Sequence, residues 1–261
     1  MVKIVMDAGH GLPTPGKRSP DGEKEWDFNN QVVLACIAKL QSYGGVDVLR
    51  VDDPTGRRDV PLRERTDRAN RWQADVYVAV HHNANSGTWG DWSGVETYTY
   101  DHPQANPKSV DLARLVHPRI VRAMGLADRG LKRADLHVLR ETAMPAILTE
   151  GGFMDSRIDI LALRSAARLQ AQGEAIAEGL AAYFGFQEKK GGKGEGELSD
   201  SYEKDAPPSE WLAQEFQEAV DFGITNGTYP RRPATREEVA VMIVRAMRRL
   251  KEEWSSGNKP G

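Results

Sequence analysis

DVYVAVHHNAN, residues 75–85, decides the fold. Its first seven residues form a short run rich in Val and closed by polar and turn-forming residues, the signature of a β-strand. Four other stretches share this character: VKIVMD at 2–7, VDVLRV at 46–51, GVETYTY at 94–100 and AILTE at 146–150. Between them, 26–42, 61–73 and 108–124 carry apolar residues at three- and four-residue spacing, the helix period, and a last helix is expected at about 160–184. Strands alternating with helices predict an α/β architecture, with a mixed, largely parallel sheet flanked by helices.

In such sheets, reactive groups collect beyond the carboxyl ends of the strands. The strand at 75–81 ends in His81 and His82, neighbours that point to opposite faces, so only one easily joins a given site. His10 lies between two glycines in DAGHG (7–11). Glu150 closes AILTE ahead of Gly151 and Gly152, which leave room for close approach. A carboxylate ending a buried strand calls for a partner or a metal. Glu23 and Glu25 flank the start of the helix WDFNNQVVLACIAKL, where the helix dipole alone would favour either. Two imidazoles and one carboxylate are the protein donors of a zinc site with an open fourth position. A second carboxylate beside them is the proton acceptor that metal-activated water needs. The set predicts a hydrolase, with His102, His117 and His137 left as surface or packing residues.

The bulk properties narrow the setting. With 261 residues, 39% hydrophobic and 28% charged, and a net charge of −3, the chain has no electrostatic signature of a nucleic-acid or anionic-membrane partner. Cys36 is the single cysteine and reads as a small buried apolar residue without a disulfide partner. No run of 18 apolar residues predicts a membrane-spanning helix, and MVKIVMDAGHG enters a strand directly, without the layout of a secretory signal. The composition changes at 187–206, QEKKGGKGEGELSDSYEKDA, which reads as a flexible polar linker after a first domain at 1–186. A small helical module follows at 207–254: a helix at 209–222, a turn rich in Gly, Asn and Pro, and a helix opened by Thr235 with Glu238 completing a capping box. Residues 255–261 read as a disordered tail.

DAGHG, EWDFN (25–29), LRERTDRANRWQADVYVAVHHNAN (62–85), GVETY (94–98) and PAILTEGGFMDSRID (145–159) resemble, in order, the motifs of the zinc-dependent N-acetylmuramoyl-L-alanine amidases of the type-3 family. The resemblance covers about residues 1–184 and implies a phosphorylase/hydrolase-like fold. It implies that His10, Glu25 and His81 bind Zn2+ and that Glu150 is the catalytic carboxylate. Glu25 is preferred to Glu23 because the family places Asn four residues after its ligand, and Asn29 meets that spacing; His82 then stands beside the site. Ala8 stands where Pro is usual and Leu12 where a second Gly is common, departures that concern loop conformation and not metal chemistry. Asn83, Arg65, Trp89 and Trp92 are expected to contact substrate, the tryptophans walling a cleft with loops 12–24 and 84–93.

The implied reaction is hydrolysis of the amide between N-acetylmuramic acid and L-alanine in peptidoglycan. A zinc carboxypeptidase or endopeptidase acting on the stem peptide, or a glycan-binding attachment protein, are the alternatives. The C-terminal module resembles a single S-layer homology repeat through Trp211, GITNG (223–227), Pro230, Pro233 and TREEVAVMIVRAMRRL. Arg231, Arg232, Arg236, Arg245, Arg248 and Arg249 are its candidate contacts to acidic secondary wall polymers. The expectation is a monomeric phage or prophage endolysin that accumulates in the host cytoplasm and reaches the wall after release, with a bacterial autolysin as the alternative.

Overall fold

The computed structural model describes residues 1–189 together with Gln217 and Ala246. The chain divides into two units, Met1–Gly191 and Gly192–Gly261. The predicted module, its tail and all of the linker beyond residue 189 lie outside the described residues, those two positions apart. The first linker residues belong to the first unit: Glu188 bridges Tyr43 and pairs with Lys39 at 2.5 Å, and the Lys189 N–H donates to the Ser42 carbonyl.

The first unit is an α/β sheet structure. Strands β1 (Val2–Ala8), β2 (Val46–Arg50), β3 (Val76–Asn83), β4 (Val95–Tyr100), β5 (Asp128–Ala134) and β6 (Ala146–Phe153) form one sheet in the order β2-β1-β3-β6-β4-β5. The first four in that order are parallel; β4 runs antiparallel to β6, and β5 runs parallel to β4. The expected mixed, largely parallel sheet is present. The helices are α1 (Glu25–Leu40), α2 (Leu62–Trp72), α3 (Pro107–Met124), α4 (His137–Arg140), α5 (Ile160–Leu163) and α6 (Ala166–Phe184).

Side-chain alternation along the strands sorts the core into two layers. Ile4, Met6, Val78, Val80 and Ile147 face one way, into a cluster with Val32 and Cys36 of α1, Leu112 and Ile120 of α3, and Ile176 of α6. Val5, Tyr77, Ala79 and Leu148 face the other way, against Ala69 of α2 and Val138 and Leu139 of α4. Local chemistry sets the helix ends. Asn106 caps α3 by accepting from the Lys108 N–H, Pro107 opens it, and Gly125 ends it in the left-handed region.

Several elements differ from expectation. Strand β5 has no apolar run to announce it: DRGLKRA is an edge strand whose residues are mostly exposed. The helix expected at 160–184 is two helices, because the Ser165 side chain caps a new start by accepting from the Arg168 N–H. Strands β3 and β6 also continue past His81 and Glu150 to Asn83 and Phe153, so these two residues sit inside their strands rather than at the ends.

Arg65 was expected to touch substrate; it is instead a buried scaffold residue, 1% exposed. Its Nε donates to the Val60 carbonyl, Nη1 to Asp7 and the Ala8 carbonyl, and Nη2 to the His10 carbonyl and Asp59. Every guanidinium N–H is thereby engaged within the protein, leaving no donor for a ligand. Asp7 accepts in addition from the Tyr77 hydroxyl at 2.5 Å. Removing one member strands a buried charge, so Arg65→Met should cost about 3–5 kcal/mol, read as a lower urea midpoint. A loss below about 1 kcal/mol would show the network to be dispensable.

Candidate metal centre

The turn after β1 sets the first donor. His10 has φ +66°, the left-handed region that a side chain seldom adopts, and it is held there by the Arg65 Nη2 bond to its carbonyl at 2.8 Å. Gly9 before it is required by proximity: a Cβ at this position would lie 2.1 Å from His81 Cε1. The His10 and His81 rings stand edge to face, 4.8 Å between centroids and 88° between planes.

Glu25, the first residue of α1, reaches between the two rings. Its Oε1 lies 2.9 Å from His81 Nδ1 and its Oε2 3.3 Å from His10 Nε2. Each of the three residues offers one ligand atom, and these atoms lie within 4.8 Å of one another. Two imidazoles and a carboxylate converging so closely, with both rings partly open to solvent, fit a divalent ion with a free coordination position. Glu23, the rival acid, is elsewhere: it accepts from Ser19 and pairs with Arg164 on the surface.

Burial and mutual charge set the protonation states. Burial lowers the His10 pKa to about 4, with His81 adding to the effect and Glu25 opposing it, so the ring is neutral and its lone pair is available. Burial alone would raise the Glu25 pKa, but the hydrogen bond and charge of His81 and the charge of His10 hold it below the ordinary carboxylate value. Burial also works against protonated His81, and its bond to Glu25 outweighs this, raising its pKa.

Glu150 pairs with His81 across the parallel β3–β6 ladder, which puts both side chains on one face of the sheet. Its Oε2 is enclosed and meets no protein donor among the described residues. Burial raises the Glu150 pKa well above the ordinary value; Glu25 and Glu96 add to this, and His81 opposes it. A carboxyl group poised in this way can both take and return a proton near neutral pH.

Behind the donors lies a buried polar relay that the sequence reading placed only as a neighbour of the site. His82, 1% exposed, points to the opposite face from His81. Its Nδ1 meets Asn29 Oδ1 at 2.8 Å and its Nε2 meets the Gln172 amide at 3.2 Å. Asn29 in turn donates to the Gly9 carbonyl at 3.1 Å and to Glu25 Oε1 at 3.4 Å, and the His82 N–H donates to the same Glu25 oxygen at 3.3 Å. The relay thus orients the carboxylate ligand. Burial holds the His82 pKa down, to about 4, so the ring is neutral.

The expected substrate contacts occupy varied places. Asn83 lies beside the site and donates to Glu96 at 3.3 Å. Trp89 packs against the core with Arg164 above its ring, and the Trp92 indole N–H donates to Asp155 at 2.9 Å. Asp155, fully buried, also accepts from the N–H groups of Asn85, Ser86 and Gly87, while Asp159 accepts from Gly94, Ser93 and Phe153. Both acids stand in the quoted MDSRID stretch, and only the fold reveals that they anchor the 84–94 loop. His117 is a packing residue bonded to Thr97 and Asp128, His102 stacks on Tyr100, and His137 meets Thr66.

The raised Glu150 pKa has a stability consequence in metal-free protein. A group whose folded pKa exceeds its unfolded value of 4.5 stabilises fully below that value, and the contribution is lost as pH rises through the folded pKa. Glu150→Gln removes the ionisation. Chelator-treated variant should therefore gain on wild type as pH climbs from 5 to 9, measured by urea midpoints. A gap that stays flat with pH would show that Glu150 ionises freely in the folded state.

A family model for N-acetylmuramoyl-L-alanine amidases matches residues 4–182. The chain is 37% identical over 188 residues to a sporulation-specific N-acetylmuramoyl-L-alanine amidase of Bacillus subtilis (strain 168), covering 72% of this chain and 70% of that one. It is 36% identical over 198 residues to an endolysin of Bacillus phage SPP1, covering 74% and 70% respectively. Among solved structures, the catalytic domain of CwlV, an N-acetylmuramoyl-L-alanine amidase from Bacillus (Paenibacillus) polymyxa, superposes with a TM-score of 0.65 at 27% identity, covering 72% of this chain and all of that one.

Proposed function

Since this chain belongs to the N-acetylmuramoyl-L-alanine amidase family, we propose that it is a zinc-dependent peptidoglycan hydrolase that cuts between N-acetylmuramic acid and L-alanine. The observation that carries this reading is the convergence of His10, Glu25 and His81 beside an unpartnered Glu150. A zinc ion held by those three donors supplies a Lewis acid for the scissile carbonyl and lowers the pKa of an attacking water.

The protein's own groups perform the remaining tasks. Glu25 and the neutral His10 ring present lone pairs, and the Asn29–His82 relay fixes the carboxylate's direction. Glu150, whose carboxylate is not committed to a protein donor at Oε2, takes the proton of the attacking water and returns it to the leaving L-alanine amine. The 84–94 loop, fastened by Asp155 and Asp159, forms a fixed wall beside the site.

Likeness to a bacterial sporulation amidase supports the autolysin role over the endolysin role first expected from the sequence. The phage SPP1 endolysin keeps the second reading in play. Action on the wall after release from the cell is part of the same proposal.

Peptidoglycan digestion followed by mass spectrometry tests the reading. Wild-type protein should free intact stem peptides with an L-alanine amine, and chelation should stop it. Glu150→Gln should retain bound zinc while losing about 10²–10⁴-fold in rate, whereas His81→Ala should lose both metal and activity. Release of a terminal residue would mean a carboxypeptidase, and adsorption to walls without cleavage would mean an attachment protein.

A further inference from the structure

Edge strand β5 carries a bulge whose effect reaches the centre. Val95 pairs with Asp128 but Thr97 pairs with Leu131, so one extra residue enters β5, at Gly130 with φ +79°. Residues three apart on a regular strand point to opposite faces, and the inserted residue restores Arg129 and Lys132 to the same side. Both converge on Glu96 Oε1, Arg129 through Nε and Lys132 through Nζ, each at 2.5 Å. Glu96, 2% exposed, is further satisfied at Oε2 by the Tyr98 hydroxyl at 2.5 Å and by Asn83 at 3.3 Å.

Glu96 is in turn the antiparallel register partner of Glu150. Side chains paired in that way stand about 5 Å apart at Cβ. Glu96, which holds both cationic heads, is therefore the strand neighbour of the carboxylate proposed to move the proton. One cation neutralises Glu96; two leave a net positive charge. The Arg129 Nη groups have no partner among the described residues, and the Arg129 and Lys132 side chains remain 39% and 35% exposed. The guanidinium is held at Nε by Glu96 and backed by the Phe153 ring at 5.1 Å, and its side chain is partly exposed. A planar fork fixed in that manner matches a carboxylate.

Building on the proposed amidase reaction, we infer that Arg129 and Lys132 form a receptor for a free carboxylate on the substrate peptide. An extended peptide advances about 3.3–3.6 Å per residue, and the receptor is assigned to a carboxylate one or two residues from the scissile amide, since Glu96 and Glu150 are strand neighbours. The subsite would make the enzyme distinguish stem peptides bearing a free acid from those in which it is a carboxamide.

The test uses zinc-loaded protein and two synthetic muramoyl peptides that differ only in a carboxylate or carboxamide at the second peptide residue. Wild type should cleave both at the muramoyl–alanine amide, with KM about tenfold lower for the acid. Arg129→Gln/Lys132→Gln should bring the KM ratio close to one. Lys132→Gln, which leaves Arg129 on Glu96, should give an intermediate ratio and covers the case in which the double variant does not fold. A wild-type ratio of one, or a ratio unchanged in the variants, overturns the receptor while leaving the amidase reading intact. Failure of wild type to cleave either peptide at that bond overturns the amidase reading and the receptor with it.

Discussion

A buried guanidinium underlies the whole site. Arg65, rooted in α2, spends its donors on Asp7 at the end of β1 and on the carbonyls of Ala8 and His10 in the turn that follows. A turn carrying a histidine in the left-handed region is unfavourable by itself, by roughly 1–3 kcal/mol, and persists only where its surroundings over-determine it. Here the carbonyl on one side is gripped by a charge, and Gly9 on the other side lets the His81 ring press against the backbone. The backbone thereby directs the His10 ring at Glu25 and against the edge of His81.

Three glutamates come together around this turn, and each meets its environment differently. Glu25 is buried against two imidazoles and stays ionised. Glu96 is buried against two cations, a hydroxyl and an amide, and its pKa is lowered although burial works the other way. Glu150, lying between His81 on β3 and Glu96 on β4, has an enclosed oxygen with no donor. Two neighbours held anionic and one held unpaired is an arrangement that separates the pKa values of similar carboxyl groups, as the proposed division into ligand, structural and proton-transfer roles requires.

Much of this was legible in the chain before any coordinates. Strands β1, β3 and β6 are short apolar runs, because a strand covered on both faces has little use for polar residues, and their sequences show it directly. His10, His81 and Glu150 stand out by strand ends and glycine neighbours, Glu25 through the family resemblance that sets Asn29 four residues on, and His10, Glu25 and His81 form the cluster. What escaped depends on pairings between distant segments. Strand β5 exists through its hydrogen bonds to β4 and is mostly exposed, so its sequence carries no burial pattern. Arg65 reads as a substrate contact in LRERTDRANRW, and only the approach of β1 makes it the most enclosed charge of that helix. Trp92 reads as a free aromatic wall until Asp155, 63 residues later, claims its indole N–H. The break at Ser165 rests on a side-chain cap that the apolar spacing over 160–184 does not announce.

The reversed strand is the step that completes the centre. Had β4 returned parallel to β6, a long crossover would have been needed and β4 would have started at the far edge of the sheet. Running antiparallel, it follows β3 through the short 84–94 loop and starts at the edge where the parallel strands end, so its second residue, Glu96, stands opposite Glu150. The loop that allows this reversal is fastened by Asp155 and Asp159, which directly follow β6. The same eleven-residue connection therefore brings Glu96 opposite Glu150. Parallel pairing of β5 onto β4 then adds the cations, since the bulge at Gly130 turns them inward at the level of Glu96. Ligand donors come from the parallel half of the sheet and charge control from the reversed half, with Glu150 on the strand where the two halves join.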